Sequence, residues 1–495
     1  MFRSAKIALL LASTIIAIPV TAFAAARTDL VIGIALEPPN LDPTAGAAAA
    51  IDEVTYANLF EGLTRINESG EVTPALAASW DISTDGLTYT FKLHTGVKFH
   101  DGADFNAEDV KFSIDRAMAA DSTNAQKALF DGITAVTVVD PATVTITLSR
   151  PIGSLLYNLG WGDAVMVDAA SAKTNAEKPI GTGPFKFDNW AKGSAVTLVK
   201  NPAYWGTPAM LDRVQFRIIA DPAAATAALL SGDVQVFPNF PAPEAVPQFQ
   251  SDARFTVEIG TTEGETILST NNKKPPFDNL KVRQAIAMTL DRQAVVDGAM
   301  FGQGIPIYTH FAPHNPAYVD LSATYPRDVV KAKALLAEAG FPTGFKATLK
   351  LPPVTYARRG GEIIAAQLRE VGVELEIIPV EWAQWIEQVF TNKDYDLTIV
   401  SHTEPNDINI YGRKDYYFQY ANAKFDEAMA KLDVTADPAM RNALLGEAQK
   451  IITEDAVNGY IFQLAQTGIH DAKVMGLWVN APIQAIDLTA AHWME

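Results

Sequence analysis

Cysteine is absent from all 495 residues, which excludes a disulfide framework, a thiolate metal centre, a thiol nucleophile and a lipid-acceptor thiol. Histidine is sparse, seven in all, and no His-Glu-x-x-His arrangement occurs, so the usual helical zinc-hydrolase pattern is missing too. There is no Gly-x-Ser-x-Gly elbow, and Gly181-Thr182-Gly183 runs into Pro184 instead of a helix start, which makes it a turn and not a phosphate cradle. Repeats of 20–50 residues are lacking, as is low-complexity sequence beyond an alanine run at 47–50, so solenoids and arrays are excluded. Positive charge is in deficit: 39 Lys and Arg stand against 57 Asp and Glu, a net charge of −18. Such a field disfavours nucleic acid and anionic lipid, and its simplest role is a solubilising acidic surface. Cationic, zwitterionic or neutral ligands are all permitted by it.

What the chain does have begins at its N-terminus. Arg3 and Lys6 precede an apolar stretch over residues 7–20, broken by Pro19 and followed by Ala22-Phe23-Ala24, the pattern of a cleaved signal peptide over residues 1–24. That stretch is too short to span a bilayer comfortably, and no later run replaces it. Removing Arg3 and Lys6 leaves 37 basic against 57 acidic residues, a charge of −20. Export without an acceptor thiol implies a soluble, non-lipoprotein resident of a Gram-negative periplasm. With 48% hydrophobic and 19% charged residues, the body has the composition of a globular protein of two or three domains at about 100–200 residues each.

Short strands alternate with helices along that body. Residues 136–139 and 144–148 flank Asp140-Pro141-Ala142 as one hairpin, and residues 185–190 and 195–199 flank Lys192-Gly193-Ser194 as another. Asn106, Asn279 and Asp437 read as N-caps of helices with apolar stripes, Asp437 being followed by Pro438 at the first helical position. The pattern predicts a mixed α/β protein of more than one lobe, with a crossing near residues 268–272.

Several segments, taken in order, resemble the family 5 extracellular solute-binding proteins, the dipeptide, oligopeptide and nickel receptors of ABC importers. They are Glu37-Pro38-Pro39-Asn40-Leu41-Asp42-Pro43, Leu59-Phe60-Glu61-Gly62-Leu63, Lys98-Phe99-His100-Asp101-Gly102 with Ala107-Glu108-Asp109-Val110, and Pro179-Ile180-Gly181-Thr182-Gly183-Pro184-Phe185. Further on come Asn201-Pro202-Ala203-Tyr204-Trp205, Pro275-Pro276-Phe277 through Val282-Arg283-Gln284-Ala285-Ile286 to Asp291-Arg292, Leu335-Leu336-Ala337-Glu338-Ala339-Gly340, and the stretch from Asn422 to Asp426. The resemblance runs from Glu37 to Leu464, nearly the whole mature chain. It implies a two-lobed periplasmic-binding-protein fold with a hinge: lobe I over residues 27–267 with an extra subdomain at about 50–178, lobe II over 268–473, and a tail, 474–495, returning to lobe I. The implied function is capture of a small peptide or peptide-like solute between the lobes and delivery to an ABC permease in the inner membrane. No catalytic residue, cofactor or metal is called for, and free lobes suit a monomer.

Candidate ligand contacts centre on residues 395–407. A buried strand signal at 397–400 delivers Ser401, His402, Thr403, Glu404 and Asp407 at its C-terminal end, where open α/β sheets present ligand sites. In peptide-binding relatives this place resembles Gly-Trp-x-x-Asp, whose aspartate holds the peptide amino terminus. Here Ser401 and His402 replace Gly-Trp, Pro405 stands at the aspartate position, and Glu404 or Asp407 is near enough to substitute. The resemblance places Glu37 at a strand exit near ligand backbone, and Arg358 or Arg359 where a guanidinium fork clamps a ligand carboxylate. Trp382 and Trp385 are candidates for an aromatic wall, and Tyr411, in a tyrosine cluster with Tyr416, Tyr417 and Tyr420, for a polar pocket wall; packing roles are open for each. The pair Glu263 and Glu265 reads as a solvated strand face, and His310 with His314 as polar loop residues. The alternatives are a receptor for an opine, an oligosaccharide or a nickel or metal chelate using His402, and, from another class, an exported hydrolase or a periplasmic chaperone.

Overall fold

The computed structural model describes residues 27–46, 48–404, 407–435 and 437–494. The expected signal peptide lies outside them, as do Pro405 and Asn406.

Two long strands organise the molecule. Phe255–Thr270 and Asn458–Asp471, 16 and 14 residues, pair antiparallel from Phe255 opposite Asp471 to Ser269 opposite Asn458. This ribbon carries a half-sheet at each end. Beyond Phe255–Thr270 lie Leu397–His402, Phe345–Leu351 and Val373–Pro379; beyond Asn458–Asp471 lie Val236–Phe237, Asp29–Ile34, Arg213–Ile218, Ala195–Lys200 and Phe185–Ala191. With Ile305–Pro306 the sheet has 11 strands. In mid-ribbon the register shifts between Thr261 and Glu265, so that residues 262–264 bulge against Leu464, a local bend that re-aims the side chains around it.

The half-sheet at Leu397–His402 is buried on both faces, which is why apolar residues stand on both sides of that strand, Leu397 and Ile399 on one and Val400 on the other. Leu397 and Ile399 enter a core with Val282, Val295, Leu336 and Ile364 from four helices, Leu280–Thr289, Arg292–Met300, Val329–Glu338 and Thr355–Arg369. Val400 enters an aromatic core with Trp385, Tyr411, Tyr417 and Phe418 on the other face. The opposite half-sheet packs Leu30, Ile32 and Phe216 with Val474, Ile486 and Leu488 of the C-terminal segment. A separate antiparallel sheet, in the order Ala77–Ile82, Thr88–Leu93, Thr143–Leu148, Ile133–Asp140, has its own core of Phe91, Ile146, Val110 and Ile114, the last two from helix Ala107–Met118.

Local chemistry follows the sequence reading. Both hairpins form, with Val138 opposite Val144 and Trp190 opposite Val196. Asn106 accepts from Glu108 N while Asp109 accepts from Asn106 N, a closed capping box; Asn279 accepts from Lys281 N and Asp437 from Met440 N. The separated segments at 59–63, 181–185 and 201–205 meet at one buried carboxylate. Glu61 accepts hydrogen bonds from Thr182 Oγ1 at 2.7 Å, Tyr204 Oη at 2.8 Å and Trp205 Nε1 at 2.9 Å. His100 closes the same knot, accepting from Gly181 N at Nδ1 and donating from Nε2 to Gly183 O at 3.0 Å. Burial pushes its imidazole down to about 4. These motifs are therefore structural joints.

Candidate functional site

The end of strand Leu397–His402 meets the ribbon at its bulge. Cross-strand pairing sets His402 opposite Glu265, Val400 opposite Ile267 and Thr398 opposite Ser269, so these six side chains share the face of the aromatic core. Glu265 is 3% exposed. Burial raises its carboxyl well above the usual range, and the negative charges of Asp407, Glu263 and Glu404 add to the shift. The reading of Glu263 and Glu265 as a solvated strand face is thus corrected. The bulge turns Glu263 onto His314 Nε2 at 2.6 Å, and Glu265 lies inside because it shares the inward period of Ile267 and Ser269.

His310 is also corrected from loop polar residue to buried centre. It is 1% exposed, with Nε2 at 2.8 Å from Asp407 Oδ1 and Nδ1 at 3.1 Å from Glu265 Oε1. His314 goes elsewhere, to Glu263 and to the Gln463 side chain at 2.8 Å, so the two histidines do not converge. Asp407 turns its second oxygen to His402, whose Nδ1 is 3.9 Å away, while His402 Nε2 meets Tyr417 Oη at 2.9 Å. Burial lowers the His402 imidazole, against the opposing pull of Asp407 and Glu404. Glu404 is exposed; Thr403 takes two hydrogen bonds from Gln484 Nε2, at 3.3 Å to its carbonyl and 3.1 Å to its hydroxyl. Ser401 points to the opposite face, its amide donating to Tyr356 Oη at 3.1 Å and its own hydroxyl buried without a partner.

Most of the other candidates are spent on the protein. Glu37 Oε1 accepts from Trp190 Nε1 and from Gly193 N, at 3.0 and 2.7 Å, and so closes a hairpin turn. Arg358 donates to the Pro352 and Val380 carbonyls, both at 2.9 Å, and Arg359 pairs with Glu244 at 3.6 Å. Trp385 is core, its Nε1 donating to Thr398 Oγ1 at 2.9 Å, whereas Trp382 stays 39% exposed. Tyr411 is buried with its hydroxyl between Asn458 and Tyr460, at 3.3 and 3.2 Å, which places it behind the site instead of in a pocket wall. The structure brings together His402, Thr403, Glu404 and Asp407. It adds Glu265 and His310, neither of which the sequence marked as a site residue; the nearest signal was the crossing expected near residues 268–272.

Among the described residues no helix is long and apolar enough to cross a membrane. A Helicobacter pylori periplasmic binding protein, DppA, solved with the peptide STSA, superposes with a TM-score of 0.83 at 26% identity, covering 95% of this chain and 99% of that one. The protein AgaA of A. tumefaciens R10, solved with agropinic acid, gives a TM-score of 0.80 at 26% identity over 94% and 99% of the two chains. The glutathione-binding protein GsiB of Salmonella typhimurium is 30% identical over 95% of each chain. The fold is accordingly the two-lobed α/β arrangement of the periplasmic binding proteins, and these relatives are solute-binding proteins. Residues 71–424 match the family described as bacterial extracellular solute-binding proteins, family 5 Middle, and with that span and those relatives the chain belongs to the family 5 solute-binding proteins.

Proposed function

We propose that this protein is the periplasmic receptor of an ABC importer for a short peptide or peptide-like solute, taken up between lobes at residues 27–267 and 268–473 and handed to the permease without chemical change. The observation that carries the reading is the end of strand Leu397–His402, where an exposed carboxylate, Glu404, follows a strand anchored against the crossing ribbon. A carboxylate there suits the ammonium of an amino acid or peptide, since a charge-assisted hydrogen bond at a strand end fixes both position and direction. The relatives that bind glutathione and the peptide STSA support the class. Hinge bending at the bulged ribbon supplies closure, favoured by whichever solute binds the closed state better. Export through residues 1–24, residence in the periplasm without a lipid anchor, and a monomeric state belong to the same proposal.

The test is calorimetric titration of the mature protein with glutathione and with a panel of di- to tetrapeptides. We expect saturable binding without product, a raised melting temperature, and at least tenfold loss of affinity in Glu404→Gln. An opine is the second reading, favoured by the likeness to AgaA. Binding of agropinic acid in preference to every peptide establishes it in place of the first.

A further inference from the structure

The core of the separate antiparallel sheet and the aromatic core beside strand Leu397–His402 share no buried apolar side chain among the described residues, yet the segments around them touch at two places. At the first, Gly153 lies against Thr435 and Arg441: a Cβ built on it falls 2.6 Å from Thr435 O and 2.6 Å from Arg441 Nη1. Ile152 and Leu155, on either side of Gly153, belong to the sheet core. Thr435 follows helix Ala423–Asp433 and Arg441 lies near the start of helix Pro438–Glu454, and these helices send Leu432 and Leu445 into the aromatic core. At the second place Gln484 Nε2 donates to the Thr403 carbonyl and hydroxyl. Gln484 stands between Ile483 and Ala485 of the sheet core, and Thr403 stands between strand Leu397–His402 and Glu404.

Gly153 is informative because its backbone does not require glycine. It is not among the glycines of positive φ, so any L-residue could adopt its conformation, and what a side chain lacks there is room. That room is taken by the other side of the molecule. Arg441 is not free to swing aside, since its Nη1 donates to Leu432 O and Thr435 O, both at 2.9 Å, and Thr435 O is itself backbone. Both contacts are narrow and polar, the kind that two bodies make and break, while the chain passes between the sides along the two long strands.

We propose that these two contacts form and break together as the closing step of the receptor: the loop at Gly153 seats on Thr435 and Arg441 as Gln484 reaches Thr403. Gly153 and Gln484 are then positioning residues. They set the fraction of protein that is closed, and apparent solute affinity scales with that fraction. Because Thr403 precedes Glu404, the same step fixes the strand end that offers the carboxylate. The inference rests on the receptor reading for the solute that drives closure; the coupling of the two contacts is tested without any solute.

The mature chain has no cysteine, so Thr403→Cys with Gln484→Cys makes a clean pair for a short bis-thiosulfonate crosslinker. In solute-free protein, adding Gly153→Val to the pair should slow crosslinking about tenfold or more, and adding Gly153→Ala should slow it less. Without the cysteines, Gly153→Val should keep the parent's solute-free melting temperature and denaturant slope, because the contact belongs to neither core. The same variant should bind glutathione or the peptides of the panel about tenfold more weakly, chiefly through faster release. Crosslinking at the parent rate in Gly153→Val overturns the coupling. A solute-free melting temperature lowered as far as that of Gly181→Ala makes Gly153 a permanent joint and overturns it as well; where Gly153→Val fails to fold, Gly153→Ala decides by the same two readings. Binding of no solute in the panel sinks the receptor reading and leaves the solute-free crosslinking to decide the coupling, whereas solute binding with crosslinking indifferent to residue 153 does the reverse.

Discussion

Arg359 Nη1 reaches Glu244 Oε2 at 3.6 Å, joining helix Thr355–Arg369, packed on one half-sheet, to the short turn Pro243–Ala245, packed beside the other. Both side chains are partly exposed, at 43% and 44%, so the pair adds well under about 1 kcal/mol to stability. Its influence falls on the relation between the halves. Arg359→Ala and Glu244→Ala should change solute affinity by the same small factor, less than about fivefold, and the double variant should do no more. A tenfold or greater loss confined to Arg359→Ala would put that guanidinium on the solute instead.

Arg358 acts differently. It donates to the Pro352 and Val380 carbonyls and so clamps the loop after strand Phe345–Leu351 to the end of strand Val373–Pro379. Replacement by alanine removes a charged donor from two acceptors and should cost about 2 kcal/mol, read as a lower denaturant midpoint at unchanged slope. Lysine should recover little, because one ammonium cannot span two carbonyls held in a fork.

Gly181 is required by close approach. A Cβ built there falls 2.0 Å from Leu59 O, and one on Gly183 falls 2.5 Å from Asn58 O. Both neighbours are backbone, so relief demands movement of the 58–60 segment that also positions Glu61. Gly181→Ala should destabilise by about 3 kcal/mol or more, whereas Gly193→Ala, with no atom near its Cβ but a positive φ of 73°, should cost only about 1 kcal/mol. Equal melting temperatures for these two variants would contradict the argument.

A cluster in helix Ala49–Thr55 and the turn Gly162–Ala164 makes stability depend on pH. Burial raises Glu53 to about 7 and Asp163 to about 7, and raises Asp52 well above its ordinary value, with the charges of Asp163 and Glu53 adding to it. Asp52 Oδ1 and Asp163 Oδ1 are both buried without partners. The folded chain therefore keeps protons that the unfolded chain has already released above the usual carboxylate range. For Glu53 and Asp163 stability falls as pH rises from the usual carboxylate range through about 7, and Asp52 adds to the fall in the same direction. Asp163→Asn should flatten the fall and stabilise the protein by about 1–2 kcal/mol at pH 8 relative to its effect at pH 4, measured by denaturation across that range.

The sequence by itself determined the elements and the class of fold. Capping residues such as Asn106 and Asn279, the hairpins around residues 140–142 and 192–194, and the doubly buried strand Leu397–His402 are local patterns, set by backbone hydrogen bonding and apolar spacing within a few residues. The ordered motifs were legible as a family resemblance, yet not as the joint they form around Glu61, since that joint depends on contacts across more than a hundred residues.

Only tertiary structure decided which polar side chains remain available to a ligand. Glu37, Arg358 and Tyr411 looked open in the chain and are engaged by backbone or core partners. Glu265 and His310 looked bland and are buried together. The physical reason is that burial and partner choice of a charged group depend on a strand register shift and a loop brought in from elsewhere, as at residues 262–264, and no period in the sequence encodes that meeting.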